Sequence, residues 1–174
     1  MHSQFKQLIE NQFEAALCTL SLCIDRCPDS VWHARVGNLT FCQVAFHGLF
    51  FTDYYLGAGE EGFRTQPFHV EHADFFRDYE EFQHRVQQYA YDQRAVQAYV
   101  QHCRQKATAA IAAETEESLQ GPSGFTRRNC SRAELYVYNL RHVQHHAAQL
   151  SLRLRIDAGV EIPWVGAGWR TPTN

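Results

Sequence analysis

The chain has 174 residues and a mass of 20.1 kDa, which leaves room for one domain around one sizeable core. A formal net charge of −3 and a pI near 6.3 provide no general attraction to nucleic acid or anionic lipid. No apolar run approaches the ~18 residues of a membrane span, and residues 1–9 lack the features of a secretory signal. We therefore expect a cytoplasmic protein with a single domain over residues 1–174, made of a bundle (1–160) and a C-terminal coil (161–174).

Six cysteines are scattered singly instead of showing the dense spacing of a secreted disulfide framework. They are Cys18, Cys23, Cys27, Cys42, Cys103 and Cys130. Cys23 and Cys27 stand one helical turn apart, but the chain has no Cys-x-x-Cys pair of the kind that indicates a thiolate zinc site. The cysteines are therefore interpreted as reduced thiols that fill the core.

Two amphipathic helices are predicted in the first third of the chain. Apolar residues recur at three- and four-residue steps over residues 5–24, and Pro28 lies beyond the end of this helix. Thr40 followed by Gln43 has the form of a capping box, and an apolar run continues from there until Gly57. The second helix is therefore predicted over residues 41–56.

The middle of the chain contains a long connection. Residues 57–73 carry Gly and Pro with little periodicity, which indicates a crossover, and a short helix is predicted after it over residues 74–88. A third long helix is predicted to begin at Asp92 and to end near Gly121 and Pro122, because its apolar residues fall on one face.

The last long helix begins at a second capping-box pattern, Ser131 with Glu134, and its apolar stripe ends near Gly159. No strand-like alternation persists anywhere, and no internal repeat is visible. Four long helices and a long crossover predict an all-α fold, a four-helix bundle. The tail over residues 163–174, with Trp164 and Trp169, is expected to pack as coil.

Arg127, Arg128 and Arg132 form the one local cluster of positive charge. They fall in the loop before the last helix and in its first turn. Such a cluster can bind an anion, but a solvated surface is its more frequent role, and we interpret it in that way.

Three histidines form a candidate metal site. His142 and His146 are four residues apart, so they project about 40° apart on one side of the last helix, whereas His145 points to the other side of His142. On the second helix, His47 shares a face with aromatic residues that look into the bundle. Three neutral imidazoles from two helices can hold one divalent ion and leave a coordination position open, as catalytic sites do.

Spacing alone leaves another interpretation open: His142 and His146 as a partly exposed pair, and His47 as a core histidine bonded to a backbone carbonyl. Two metalloprotease motifs are excluded directly. They require a Glu beside one histidine as general base, and the residues between His142 and His146 are Val143, Gln144 and His145.

The segment Arg-His-Val-Gln-His-His-Ala-Ala-Gln-Leu, residues 141–150, resembles the last-helix motif of the DinB-like or YfiT-like superfamily. Its His-x3-His pair and the glutamine three residues later both match. Residues 46–56, in which His47 precedes an aromatic stretch, are similar to the family's second-helix segment. The resemblance covers nearly the whole chain, but its specificity lies in these two helices.

This resemblance implies a four-helix bundle, often dimeric, in which His47, His142 and His146 hold one divalent metal ion, nickel or zinc before others. Family members with activities include transferases that use low-molecular-weight thiols and some hydrolases, and many have no known reaction. A homodimer and a small-molecule substrate are the expected partners, with no nucleic acid or membrane.

The leading hypothesis is a metal-dependent enzyme that activates a thiol or a water molecule, with a metal-dependent hydrolase as its alternative. Tyr54, Asn139 and Gln149 are candidates to orient the imidazoles or the substrate. None of them is a convincing general base, which favours thiol transfer, because a thiol ionised by a metal needs less assistance than water.

Two further classes stay open. A non-catalytic bundle could use the metal to tie two helices together, in which case Phe50, Phe51 and Tyr138 would close over the ion. An interaction module could be built on the aromatic residues 75–79, although their helical spacing suits a role in covering the core.

Overall fold

The computed structural model describes residues 2–170, which form an all-α fold with one very small sheet. The helices and strands, in chain order, are α1 (His2–Asp25), α2 (Asp29–Trp32), β1 (Arg35–Val36), β2 (Leu39–Thr40), α3 (Phe41–Leu56), α4 (Pro67–Glu71), α5 (Ala73–Phe76), α6 (Gln93–Ala113), α7 (Glu116–Gln120) and α8 (Arg132–Ala158). Single 3-10 turns occupy Phe63–Thr65 and Glu80–Phe82. Within the described part of the chain, no helix is long and apolar enough to cross a membrane.

The four long helices α1, α3, α6 and α8 form the bundle. Both α1 and α3 pack against α6 and against α8, so α1 lies diagonally opposite α3. The core between them is apolar and aromatic, and includes Phe13, Leu17, Leu20, Phe46, Leu49, Phe50, Val96, Tyr99, Val143, Ala147 and Leu150. The α3–α8 contact places the predicted histidines on facing surfaces.

The all-α fold contains one very short sheet that the sequence did not indicate. Strands β1 and β2 pair antiparallel, with Arg35 opposite Thr40 and Val36 opposite Leu39. Gly37, at a φ of 66°, permits the tight turn between them because it lacks a Cβ. Two residues per strand are too few to show alternation in a sequence.

The second helix occupies the predicted residues, from Phe41 to Leu56. At its start, Gln43 Oε1 accepts a hydrogen bond from the backbone N–H of Thr40 at 2.9 Å, which satisfies one of the amides that a helix start leaves free. The first helix is likewise confirmed and ends at Asp25, ahead of Pro28.

The predicted helix over residues 74–88 is wrong. Only α5 is helical there, followed by the 3-10 turn at Glu80–Phe82. Arg77 and Tyr79 adopt left-handed φ values of 46° and 56°, which a continuous helix does not allow. The aromatic side chains decide the path: Phe76 stacks on His69 at 3.6 Å between ring centroids, and Phe75 packs edge-on against Phe46 at 5.2 Å. These contacts use residues 75–79 to cover the core.

The third long helix begins as predicted after Asp92, whose carboxylate accepts from Ala95 N at 3.0 Å, but it is interrupted early. Helix α6 ends at Ala113, and Thr115 then caps the separate short helix α7. Glu114 adopts an extended backbone at the break, and its carboxylate accepts from Arg132 Nε at 2.8 Å. The contacts of Glu114 therefore end α6 at Ala113, whereas the periodicity alone predicts one continuous helix.

The interpretation of the arginine cluster as a solvated surface is wrong for Arg132. Its side chain is buried and donates to the carbonyl oxygens of Tyr55 (3.2 Å), Leu56 (3.3 Å) and Gly57 (2.8 Å). These carbonyls end α3 and would otherwise lack partners. Arg132 thus fastens the first turn of α8, which Ser131 caps, to the end of α3.

A buried carboxylate joins the crossover to the bundle. Asp53 of α3 is fully buried and accepts hydrogen bonds from Lys106 Nζ and Tyr99 OH (2.8 Å) of α6, and from His69 Nε2 (2.7 Å) of α4. Burial by itself would raise the pKa of Asp53, but the hydrogen-bonding histidines and the charge of Lys106 outweigh burial and lower it. Asp53 therefore remains ionised inside the fold.

After α8, residues 159–170 form coil. Val165 and Trp169 pack against α1, whereas Trp164 is 85% exposed. The last four residues of the predicted coil, 171–174, lie outside the described residues. All six cysteines are free, as expected of reduced thiols, and all but Cys130 are buried.

Candidate metal centre

Three imidazole nitrogens meet between α3 and α8. The Nε2 atoms of His142 and His47 are 3.4 Å apart, and those of His146 and His142 are 3.1 Å apart. All three residues are partly buried, and one ligand atom from each lies within 4.8 Å of the others. The structure thus brings together the three histidines that the sequence singles out.

The outer nitrogens of two rings have acceptors. Nδ1 of His47 lies 2.7 Å from Glu81 Oε2, and Nδ1 of His146 lies 2.9 Å from Gln149 Oε1. A carboxylate oxygen and an amide oxygen only accept hydrogen bonds, so each Nδ1 carries the proton. The Nε2 lone pairs of His47 and His146 consequently face the shared centre.

The arrangement fits a divalent ion. Nitrogen ligands at 2.0–2.1 Å from a tetrahedral zinc lie roughly 3.3 Å from each other, close to the separations of 3.1 Å and 3.4 Å between these Nε2 atoms. Burial, with the neighbouring histidines, lowers the pKa of His142 to about 3 and that of His146 to about 4. Both rings are therefore neutral at pH 7, and a neutral imidazole is the form that binds metal.

Of the three candidate orienting residues, the structure places only Gln149 against a triad histidine. Asn139 is buried, and its Nδ2 donates to the carbonyl of Thr52 at 3.0 Å, which ties α8 to α3. Tyr54 packs edge-on against Phe63, Phe82 and Phe125, with centroids about 5 Å apart.

Glu81 is the site residue that sequence reasoning missed. It lies in the crossover, 34 residues after His47, and its side chain is 2% exposed. Gln87 Nε2 donates to its other oxygen at 2.7 Å, so both carboxylate oxygens are held. A glutamate in an irregular segment carries no spacing signal; only the fold of the crossover brings it to the histidine.

We expect Glu81→Gln to weaken the binding of nickel or zinc by about 10- to 100-fold, because a carboxylate that accepts from a metal-binding histidine fixes its tautomer and raises its basicity. Isothermal titration calorimetry of the full chain measures this affinity. The matched control is Glu80→Gln, since Glu80 accepts from the backbone amides of Gln88 and Tyr89 in the same segment. Equal losses in the two variants would show that Glu81 supports the crossover and not the metal.

A cleft of 560 Å³ adjoins the triad. Its lining residues are Phe51, Tyr54, Tyr55, Glu60, Glu81, Phe82, Gln83, His84, Phe125, Arg127 and Arg128. Phe51 packs edge-on against the rings of His47 and His142, with centroids 5.0 Å and 5.8 Å apart, and Glu81 contacts His47 directly. The side chain of His47 retains 24% exposure. An aromatic cleft with two arginines therefore lies beside the candidate ligands.

The fold is an all-helical bundle, and histidines from two of its facing helices converge. These two features place the protein in the class of candidate metal-binding helical bundles. The family model described as the DinB family matches residues 37–172, which include both α3 and α8, and the chain belongs to this family. This confirms the resemblance found in the two histidine-bearing segments. No curated protein and no solved structure gave a significant match.

Proposed function

We propose that this protein is a divalent-metal-dependent enzyme that activates a thiol or a water molecule, with transfer of a low-molecular-weight thiol as its leading reaction. The observation that carries the proposal is the convergence of three Nε2 atoms, two of them oriented by Glu81 and Gln149, beside an open cleft. Three nitrogen ligands leave a position free for a substrate, as catalytic sites do.

A bound divalent ion supplies Lewis-acid chemistry, lowering the pKa of a coordinated thiol or water towards neutrality. The chain's own residues hold and surround that centre. Glu81 and Gln149 fix two ring orientations, and Phe51 covers one side of the histidines. In thiol transfer, the sulfur would form a bond to an electrophilic carbon, the leaving group would depart with its electron pair, and the thiol proton would pass to solvent.

The carboxylates of the cleft support thiol transfer over hydrolysis. Glu81 is engaged by His47 and Gln87, and Glu60 Oε1 accepts from the backbone and side chain of Thr126 at 2.9 Å and 2.6 Å. Neither is free to act as a general base for water. Thiol attack needs less of such help.

Hydrolysis is the second candidate, and His84 is the observation that favours it. This residue is exposed on the cleft wall, and histidine is the side chain that most often serves as a general base. A His84→Ala variant that loses esterase or amidase activity and retains thiol transfer would separate the two reactions.

Access to the histidines argues for an enzyme over a closed structural site. A purely structural ion would be covered by Phe50, Phe51 and Tyr138, yet only Phe50 of these is fully buried, and His47 remains partly exposed. Nickel or zinc is the proposed ion, and a homodimer is the proposed assembly.

The test begins with metal content, measured by mass spectrometry on protein purified without a histidine tag. We expect about one equivalent in the native chain and almost none in the His47→Ala, His142→Ala double variant. Metal-loaded protein is then assayed with a panel of low-molecular-weight thiols and a chromogenic electrophile, before and after chelation. Equal metal in the two proteins would overturn the site; full activity after chelation would overturn the metal-dependent mechanism.

A further inference from the structure

The guanidinium of Arg128 is held in the cleft wall by two phenols. Its Nη2 donates to Tyr55 OH at 2.8 Å and to Tyr138 OH at 2.6 Å, and its Nε lies 3.2 Å from Tyr55 OH. The same group lies over the Tyr138 ring at 4.1 Å from the centroid. The side chain is thereby fixed in a partly buried position, at little further cost in conformational entropy when a ligand binds.

This cation forms no direct ion pair in the described part of the chain. Neither Arg127 nor Arg128 forms an ion pair with a carboxylate among residues 2–170, and the Nη1 group of Arg128 donates no hydrogen bond there. The two carboxylates of the cleft are occupied elsewhere, Glu81 by His47 and Gln87, and Glu60 by Thr126. A partly buried guanidinium held only by neutral oxygens remains available to pair with an anion.

The arginine also lies close to the candidate metal centre. Tyr138, which accepts from Arg128, stands one helical turn before His142 on α8. Phe51 lines the same cleft and contacts the rings of both His47 and His142. The cleft therefore extends from Arg128 to Phe51 and Glu81, the two lining residues that contact the histidines.

We propose that Arg128, with the Tyr55 hydroxyl beside it, is a subsite for the carboxylate of the substrate, and that this substrate is an amphipathic acid whose reacting group points to the histidine triad. The role of the reacting end rests on the function proposed above; the carboxylate subsite does not. Tyr55 OH accepts from Arg128 and so holds the guanidinium in place, while the Nη1 group of Arg128 faces no acceptor among the described residues and can donate to the anion.

The charges of the cleft favour a singly charged anion. Arg127 and Arg128 face Glu60 and Glu81 across the same 560 Å³, so the formal charges of these four side chains cancel. The two glutamates would repel a dianionic phosphate. Arg128 is held in the cleft wall, whereas Arg127 is exposed and is not held in a position to offset this repulsion. The aromatic lining matches an apolar body between carboxylate and reacting group.

The probes are 3-phenylpropionate and its neutral amide, titrated into the full chain by calorimetry with and without one equivalent of nickel. Native protein is expected to bind the carboxylate more tightly than the amide by about ten- to a hundredfold, because hydrogen bonds to charged groups contribute about that factor. Arg128→Gln is expected to remove this preference. Arg94→Gln, the same charge change at an exposed position of α6 outside the cleft, is expected to retain it.

Tyr138→Phe keeps the test decisive if Arg128→Gln does not fold, because it removes only a hydroxyl that positions the guanidinium; we expect it to reduce the preference several-fold with unchanged nickel affinity. Two results would overturn the subsite: equal affinity of native protein for the carboxylate and the amide, or an undiminished carboxylate preference in both variants. Tighter binding of phenyl phosphate than of the carboxylate would overturn the assignment of the subsite to carboxylates. If native protein binds no nickel but still prefers the carboxylate, the proposed metal-dependent enzyme is wrong and the carboxylate subsite is supported.

Discussion

Replacement of Asp53 by alanine is expected to lower the free energy of unfolding by about 3–5 kcal/mol, because it leaves the partly buried Lys106 and the buried Tyr99 and His69 without their shared acceptor. The affected donors belong to α6 and to α4, so the loss also weakens the attachment of the crossover to the bundle. Urea unfolding followed by circular dichroism measures the change.

The matched control is Asp157→Ala, which removes the carboxylate of an ion pair between Arg153 and Asp157 on the surface of α8. This pair is expected to contribute less than about 1 kcal/mol.

Because the folded pKa of Asp53 is lowered below its unfolded value of about 3.9, the contribution of Asp53 to stability is present above that pH and is lost as the pH falls below it. Native stability should therefore fall more steeply below pH 4 than that of Asp53→Asn. Parallel pH profiles would contradict the ionised, buried state of Asp53.

Metal binding is expected to stabilise the fold by an amount that rises with the logarithm of the ratio of free metal to its dissociation constant. Free nickel or zinc at one hundred times its dissociation constant should raise the free energy of unfolding by about 2.7 kcal/mol, since the ion binds the assembled triad and not the unfolded chain. His142→Ala removes the central histidine of the triad, and its variant should show no such increase. Thermal unfolding at a series of metal concentrations provides the measurement.

His145→Ala is the matched control for this prediction. His145 lies on the same turn of α8 but is not one of the three converging ligands, and its Nε2 instead lies 3.1 Å from Gln149 Nε2. Its loss should leave metal stabilisation nearly intact. Equal stabilisation of both variants would mean that the ion binds to the helix surface and not between α3 and α8.

Much of the helical framework follows from local signals. The range of α3 and the starts of α6 and α8 agree with prediction, because capping residues such as Thr40, Asp92 and Ser131 mark where a helix begins. Local signals fail where tertiary contacts compete with propensity. Phe76 leaves a helical path to stack on His69, and Glu114 interrupts α6 to reach Arg132.

The candidate site is likewise predictable from local sequence only in part. Helical spacing alone places His142 and His146 on one face, and the apolar run around His47 turns that residue towards the bundle. No local pattern indicates that Glu81 supports His47, or that Arg128 is held between Tyr55 and Tyr138, because these partners are 34, 73 and 10 residues apart along the chain.

By itself, the sequence determined the four long helices, their apolar faces and the three histidines that point inward, since each of these depends on residues within a few turns of one another. Only the tertiary structure decided how the crossover folds, which carboxylate supports His47, and that an aromatic cleft with a fixed arginine opens beside the triad. Those features depend on side chains brought together from distant segments, and their energies come from burial, hydrogen bonding and charge across the finished fold.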